Sequence, residues 1–142
     1  MDILVLHGPN LNLMGNYSAH NMTLSKINTT LRKQARSLGH KIFIYHFIEE
    51  GKFVRQIQRH RKNIDAIIFT PGALSQNCHI IFEVFSIIKK PLIEVHIKDC
   101  PGSNNNFTNS LLADISSYRI FDFAERAYHQ ALQKIHEMNQ SN

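Results

Sequence analysis

Glu94 and His96 stand two residues apart in Leu92-Ile93-Glu94-Val95-His96-Ile97, an otherwise apolar run. In a strand that spacing puts both side chains on one face. A carboxylate and an imidazole are costly to bury unless they pair or function. Glu94 can orient His96 and favour its protonated form, which makes a general acid or base near neutral pH. The same spacing suits a satisfied ion pair holding the strand end, and the residues alone leave both readings open. Asn10 follows His7-Gly8-Pro9 at a strand-to-loop turn. Its amide can hydrogen-bond a substrate oxygen or an ordered water, or hold its own loop as an Asx-type turn. His7, at the strand end, can line the same crevice, whereas His46 reads as structural. Gly15 matches neither phosphate-loop spacing, GxGxxG or GxxxxGK[ST]. The other histidines show no metal-ligand spacing, and Cys78 and Cys100 form no CxxC pair. Neither a disulfide framework nor a metal site is therefore indicated.

The elements that must position these groups alternate apolar runs with amphipathic segments. Ile3–Leu6, Lys41–Phe47, Ala66–Phe69, Leu92–Ile97 and Arg119–Phe121 read as strands. Between them, Thr23 caps a helix that is apolar at Leu24, Ile27 and Leu31 and ends at Gly39. Further helices are expected over Glu50–Lys62 and Gln76–Ile88, the latter with Ile80, Ile81, Val84, Phe85 and Ile88 inward. Asp99–Asn109, rich in Asn, Gly, Pro and Ser, reads as loop. Asp122 is expected to cap a last helix with Ala124, Ala127, Tyr128, Ala131, Leu132 and Ile135 inward, and Asn139–Asn142 to fray. Continuous apolar strands joined by helices predict a parallel sheet covered on both faces. The fold class is α/β, a three-layer flavodoxin-like doubly wound domain with five parallel strands, and 1–142 is one domain. In such a sheet ligands bind beyond the carboxyl ends of the strands. That rule selects His7–Asn10, Thr70–Gly72 and Glu94–His96.

Composition narrows the function classes. Hydrophobic residues make up 43% of the chain, too many for a disordered one. No apolar run approaches the roughly 18–20 residues needed to cross a bilayer. Asp2 after the first Met does not suit a signal peptide, so a soluble cytoplasmic protein is expected. The net charge of +5 permits acidic ligands or nucleic acid. Its densest basic stretch, Lys52, Arg55, Arg59 and Lys62, with Arg61 beside it, recurs at helical spacing opposite Phe53 and Ile57 and reads as a solvated helix face. No aromatic interleaving or nucleic-acid module signature accompanies it. Charge alone does not choose between acidic ligands and nucleic acid, but no nucleic-acid module and no membrane span is indicated.

Ile3–Gly15, ILVLHGPNLNLMG, resembles the opening signature of the type II 3-dehydroquinate dehydratases. Pro91–Ile97, PLIEVHI, resembles their fourth-strand signature, with Glu50-Gly51 and Pro71-Gly72-Ala73 in register between the two. The resemblance covers most of the chain. It implies cofactor-free dehydration of 3-dehydroquinate to 3-dehydroshikimate, in the shikimate pathway of aromatic amino acid biosynthesis. In that family a tyrosine activated by an arginine removes a proton, an asparagine holds a water at the enolate, and a glutamate-oriented histidine protonates the leaving hydroxyl. It also implies a homo-oligomer built from trimers, usually a dodecamer. Carried over, the catalytic positions are Asn10, Glu94, His96 and Tyr17, with substrate-binding positions at Thr70, Gln76, Glu83, Ile97 and Lys98. Thr70 stands for the family's asparagine, Gln76 for its histidine, Lys98 for its serine, and Glu83 for an aspartate that reaches a neighbouring subunit. The chain departs from the family in Asn16–Met22, a shorter loop without arginine, and in Ser103–Thr108, which lacks the family's two arginines. Those departures leave a second expectation: a divergent paralogue that acts on, or only binds, another small acid.

Overall fold

The structure is a computed structural model that describes residues 1–141. Asn142, part of the expected frayed end, lies outside the described residues. The strands are β1 (Asp2–His7), β2 (Lys41–His46), β3 (Ala66–Thr70), β4 (Leu92–Ile97) and β5 (Tyr118–Asp122). They form one parallel sheet in the order β2-β1-β3-β4-β5. This is the expected flavodoxin-like order, in which the chain reverses direction between β1 and β3.

Helices α1 (Leu24–Leu38), α2 (Glu50–His60), α3 (His79–Ile88), α4 (Ser103–Thr108) and α5 (Ala124–Gln140) join and cover the strands. Strand alternation divides the core. Ile3, Val5, Ala66, Ile68, Ile93, Val95 and Ile97 face α1 and α5, against residues such as Leu31 and Leu132. Leu4, Leu6, Ile67, Phe69 and Leu92 face α2 and α3, against Phe53, Ile57, Ile81 and Phe85. Glu94 and His96 fall by the same alternation on the α2/α3 side. Among the described residues, no helix is long and apolar enough to cross a membrane.

Local signals explain most boundaries. Thr23 accepts from the Lys26 amide at 3.2 Å, and Gly39 ends α1 in the left-handed region at φ 80°. Three expectations change. Asp99–Asn109 is not all loop, because Ser103–Thr108 forms α4, whose Phe107 packs between the rings of His96 and Phe121. Polar composition hid that turn of helix because one aromatic anchors it. The segment before α3 is a separate 3-10 turn at Gly72–Gln76, and Ile80, expected inward, is 48% exposed. Asp122 does not cap α5: Phe123 is the cap residue, and Asp122 Oδ1 accepts only the Phe123 amide, at 2.7 Å.

The β1 and β3 ends meet at Gly8. Its amide donates to Thr70 O at 2.8 Å, and a Cβ there would sit 2.4 Å from that oxygen and 2.5 Å from Pro71 O. Both obstacles are backbone, so nothing can rotate away. Gly8→Ala is expected to destabilise the protein by about 3 kcal/mol. Urea unfolding measures it, and an unchanged midpoint would contradict the close approach.

Candidate active site

β4 delivers a buried charge cluster. Glu94 and His96 are 0% and 1% exposed, with His96 Nε2 3.4 Å from Glu94 Oε1. That distance suits an ion pair, although His96 Nε2 makes no hydrogen bond within the chain. Glu94 is held from two further sides. The Ser110 hydroxyl donates to Oε2, and Arg119 Nε donates to Oε1 at 2.6 Å. Burial opposes ionisation of Glu94, but the His96 ring, the Ser110 hydroxyl and the Arg119 guanidinium outweigh it, and the carboxyl stays below its ordinary range. Above His96 lies Phe107 of α4, edge to face at 5.5 Å between ring centroids.

Asn10 lies at the same strand ends, with left-handed backbone at φ 71°. Asparagine tolerates that region better than most residues. Its carbonyl accepts the Leu13 amide at 2.9 Å, while its side chain is exposed and makes no cap bond to the turn that follows. The carboxamide is thus free for a ligand.

Tyr17 lies elsewhere. It packs against the cluster between the sheet and α1/α5, the opposite layer from His96. Its hydroxyl lies beside the Cys100 thiol, with no closer polar partner among the described residues. Burial, followed by the neighbouring Cys100 thiol, pushes the phenol further above its ordinary pKa. The loop around it is pinned. Ala19 N donates to Asp99 Oδ2 at 2.6 Å, and Ser18 Oγ to Met22 O at 2.5 Å. His20 and Asn21 both adopt positive φ, 61° and 54°, the consequence of closing so short a connection. An open cavity of about 240 Å³ beside this loop is lined by Ser18, His20, Asp99, Phe123 and Arg126, among others, and by none of Asn10, Glu94 and His96.

The remaining positions scatter. The Thr70 hydroxyl is spent on Tyr128 Oη at 2.7 Å, in the α1/α5 layer. Gln76 Nε2 donates to Asn105 O at 3.3 Å, tying the β3–α3 connection to α4. Glu83 is exposed on α3. Ile97 is buried in the α1/α5 layer, and the Lys98 amide, expected to grip a carboxylate, donates instead to Asp122 O at 2.8 Å because β5 runs alongside that far. His7 does not line the crevice. It is buried between Tyr128 and Asn28, each 2.8 Å from a ring nitrogen. The residue that sequence reasoning missed is Arg119. A lone arginine inside the run Tyr118–Phe121 was the available signal, but the β4–β5 register that sets it opposite Glu94 spans a separation of 25 residues.

Comparison with known proteins gives this arrangement its relatives. The family model described as dehydroquinase class II matches residues 1–136. A 3-dehydroquinate dehydratase of Francisella philomiragia is 37% identical over 135 residues, covering 93% of this chain and 92% of that one. One from Francisella tularensis subsp. novicida is 36% identical over the same shares. The fold is shared with the type II dehydroquinase of Butyrivibrio crossotus (TM-score 0.84, 24% identity, 94% and 96% of the two chains). It is shared too with that of Propionibacterium acnes (TM-score 0.82, 23% identity, 96% and 98%). Sheet order and the buried Glu94–His96 pair at the end of β4 define a flavodoxin-like α/β domain with a carboxylate–imidazole pair at its strand ends. Within that class, the chain belongs to the class II dehydroquinase family.

Proposed function

We propose that this protein is a 3-dehydroquinate dehydratase-like lyase of the shikimate pathway, converting 3-dehydroquinate to 3-dehydroshikimate without a cofactor. The observation that carries the reading is the Glu94–His96 pair, buried at the end of β4 in a chain 37% identical to a 3-dehydroquinate dehydratase. The proton beside the ketone passes to solvent water, Asn10 holds the water that stabilises the resulting enolate, and His96, oriented by Glu94, gives a proton to the hydroxyl, which leaves as water. Of the substrate-binding positions, Thr70 and the Lys98 amide are already bonded within the protein and Gln76 is tied to α4, so the substrate clamp is thin. Turnover is correspondingly slow.

Tyr17 is not the base in this reading. A phenol with a raised pKa, held in the opposite layer, abstracts protons poorly at neutral pH. Tyr17→Phe is therefore expected to change kcat by less than about threefold, against the 10²–10⁴ typical of a lost acid–base group. A loss of that larger size would return Tyr17 to the chemistry. The same placement favours a second reading, a divergent paralogue that acts on or merely binds another small acid through Asn10, Glu94 and His96. Absorbance of the enone product, followed with purified protein and millimolar dehydroquinate, separates the two. Turnover supports the first reading, and its absence with a thermal shift by a different acid supports the second.

The proposal extends to a cytoplasmic homo-oligomer built from trimers, a dodecamer by family habit, with no nucleic-acid or membrane partner. Glu83 lies between Ile80 and Ile87 on one face of α3, and those isoleucines are 48% and 69% exposed. An apolar face of this kind suits burial against a neighbouring subunit. Light scattering that gives a monomer would remove this part.

A further inference from the structure

We propose that Arg119 is a positioning residue for His96, fixing Glu94 beneath the imidazole and α4 above it. Three contacts converge on this one guanidinium. Nε donates to Glu94 Oε1 at 2.6 Å, the same oxygen that faces His96 Nε2 at 3.4 Å. Nη2 donates to Phe107 O on α4. The guanidinium carbon stacks 4.2 Å from the Phe107 ring centroid, and that ring sits edge to face with His96 at 5.5 Å. Arg119 lies directly beside Glu94 in the β4–β5 register, so the sheet sets this reach.

The physical consequence is competition. Arg119 and His96 share one carboxylate oxygen, and Arg119 holds it at the shorter distance. A permanent cation there keeps Glu94 ionised but weakens its pull on a second proton at His96. The planar fork also serves two acceptors on different elements, which a lysine ammonium on a flexible stem reproduces poorly. Few other groups act on the pair. Ser110 is neutral, Phe107 and Phe121 are apolar, and the Cys78 thiol before α3 is pushed up to about 12, chiefly by burial, so it stays uncharged. Glu50 at the start of α2 is the other carboxylate directed at Cys78 and this side of the sheet.

The inference builds on the proposed role of His96, so its test does not use turnover. Histidine ring resonances are titrated by NMR in the full-length protein, with His96 assigned from its absence in His96→Gln. Arg119→Gln is expected to raise the His96 midpoint by about one pH unit, the shift expected when a nearby like charge is removed. Arg119→Lys keeps the charge and the fold, and is expected to give a smaller rise. In both variants amide hydrogen exchange across residues 103–108 speeds up, because α4 loses its tie to β5. A purely structural arginine would speed exchange and leave the midpoint alone, and that result overturns the proposal. Should Arg119→Gln not fold, Arg119→Met, which also removes the charge but keeps an unbranched stem, takes its place, and a wild-type midpoint there overturns the proposal equally. Failure to dehydrate dehydroquinate would sink the proposed function without touching either readout.

Discussion

Replacing His96 with glutamine is expected to lower the rate of 3-dehydroquinate dehydration by about 10²–10⁴, the usual loss for a positioned acid–base group. Glutamine keeps the size and hydrogen bonding of the side chain but carries no exchangeable acid. His96 Nε2 faces Glu94 Oε1 at 3.4 Å, and Glu94 is bonded in turn by Ser110 and Arg119. The carboxylate is thus fixed beside the imidazole. Steady-state rates of wild type and His96→Gln, compared at equal folded concentration, measure the effect. A variant as fast as wild type would show that the pair only holds the strand end.

Acidification is expected to destabilise the fold through His7. Its pKa falls from 6.5 to about 4, chiefly because burial penalises the imidazolium, with the facing His46 acting in the same direction. Folding therefore favours the neutral ring. That stabilisation is fully present above the unfolded value near 6.5, and it is lost as pH falls from there towards 4. The difference corresponds to about 3 kcal/mol. The neutral form also completes a circuit. His7 Nε2–H donates to Asn28 Oδ1, Nδ1 accepts from Tyr128 Oη–H, and Tyr128 Oη accepts from the Thr70 hydroxyl. Protonating Nδ1 makes it a donor to Tyr128 Oη and turns the Tyr128 hydroxyl towards Thr70 Oγ1, so the cost of acidification is chiefly that of burying an imidazolium. Urea unfolding between pH 7.5 and 4, in wild type and His7→Gln, tests this. The variant should lose much of the pH slope, although partly buried His46 and His60, both lowered by burial, retain some of it. Identical slopes would show that His7 is not the group responsible.

These two expectations differ in how far the chain foretold them. Glu94 and His96 were legible because a polar pair at period two inside an apolar run is a local pattern, and alternation along β4 then puts both on one face. The family signatures at Ile3–Gly15 and Pro91–Ile97 were equally local. So were the strands and the cap at Thr23 with the stop at Gly39, which depend on side-chain chemistry within a few residues. Boundaries failed where a single distant contact decided them. Phe107 turns an Asn-rich stretch into α4 by packing on His96 and Phe121.

By itself, then, the sequence determined the five-stranded parallel frame, the placing of Glu94 and His96 on one face of β4, and the absence of an arginine from the short loop at Asn16–Met22. Only the tertiary structure decided that Tyr17 points into the α1/α5 layer, that His7 and Thr70 close a buried circuit with Tyr128, and that Arg119 reaches Glu94. The physical reason is range. Period, capping and turn chemistry act between neighbours, whereas the partner of a buried polar group is chosen by sheet register and layer, which join residues as far apart as His7 and Tyr128.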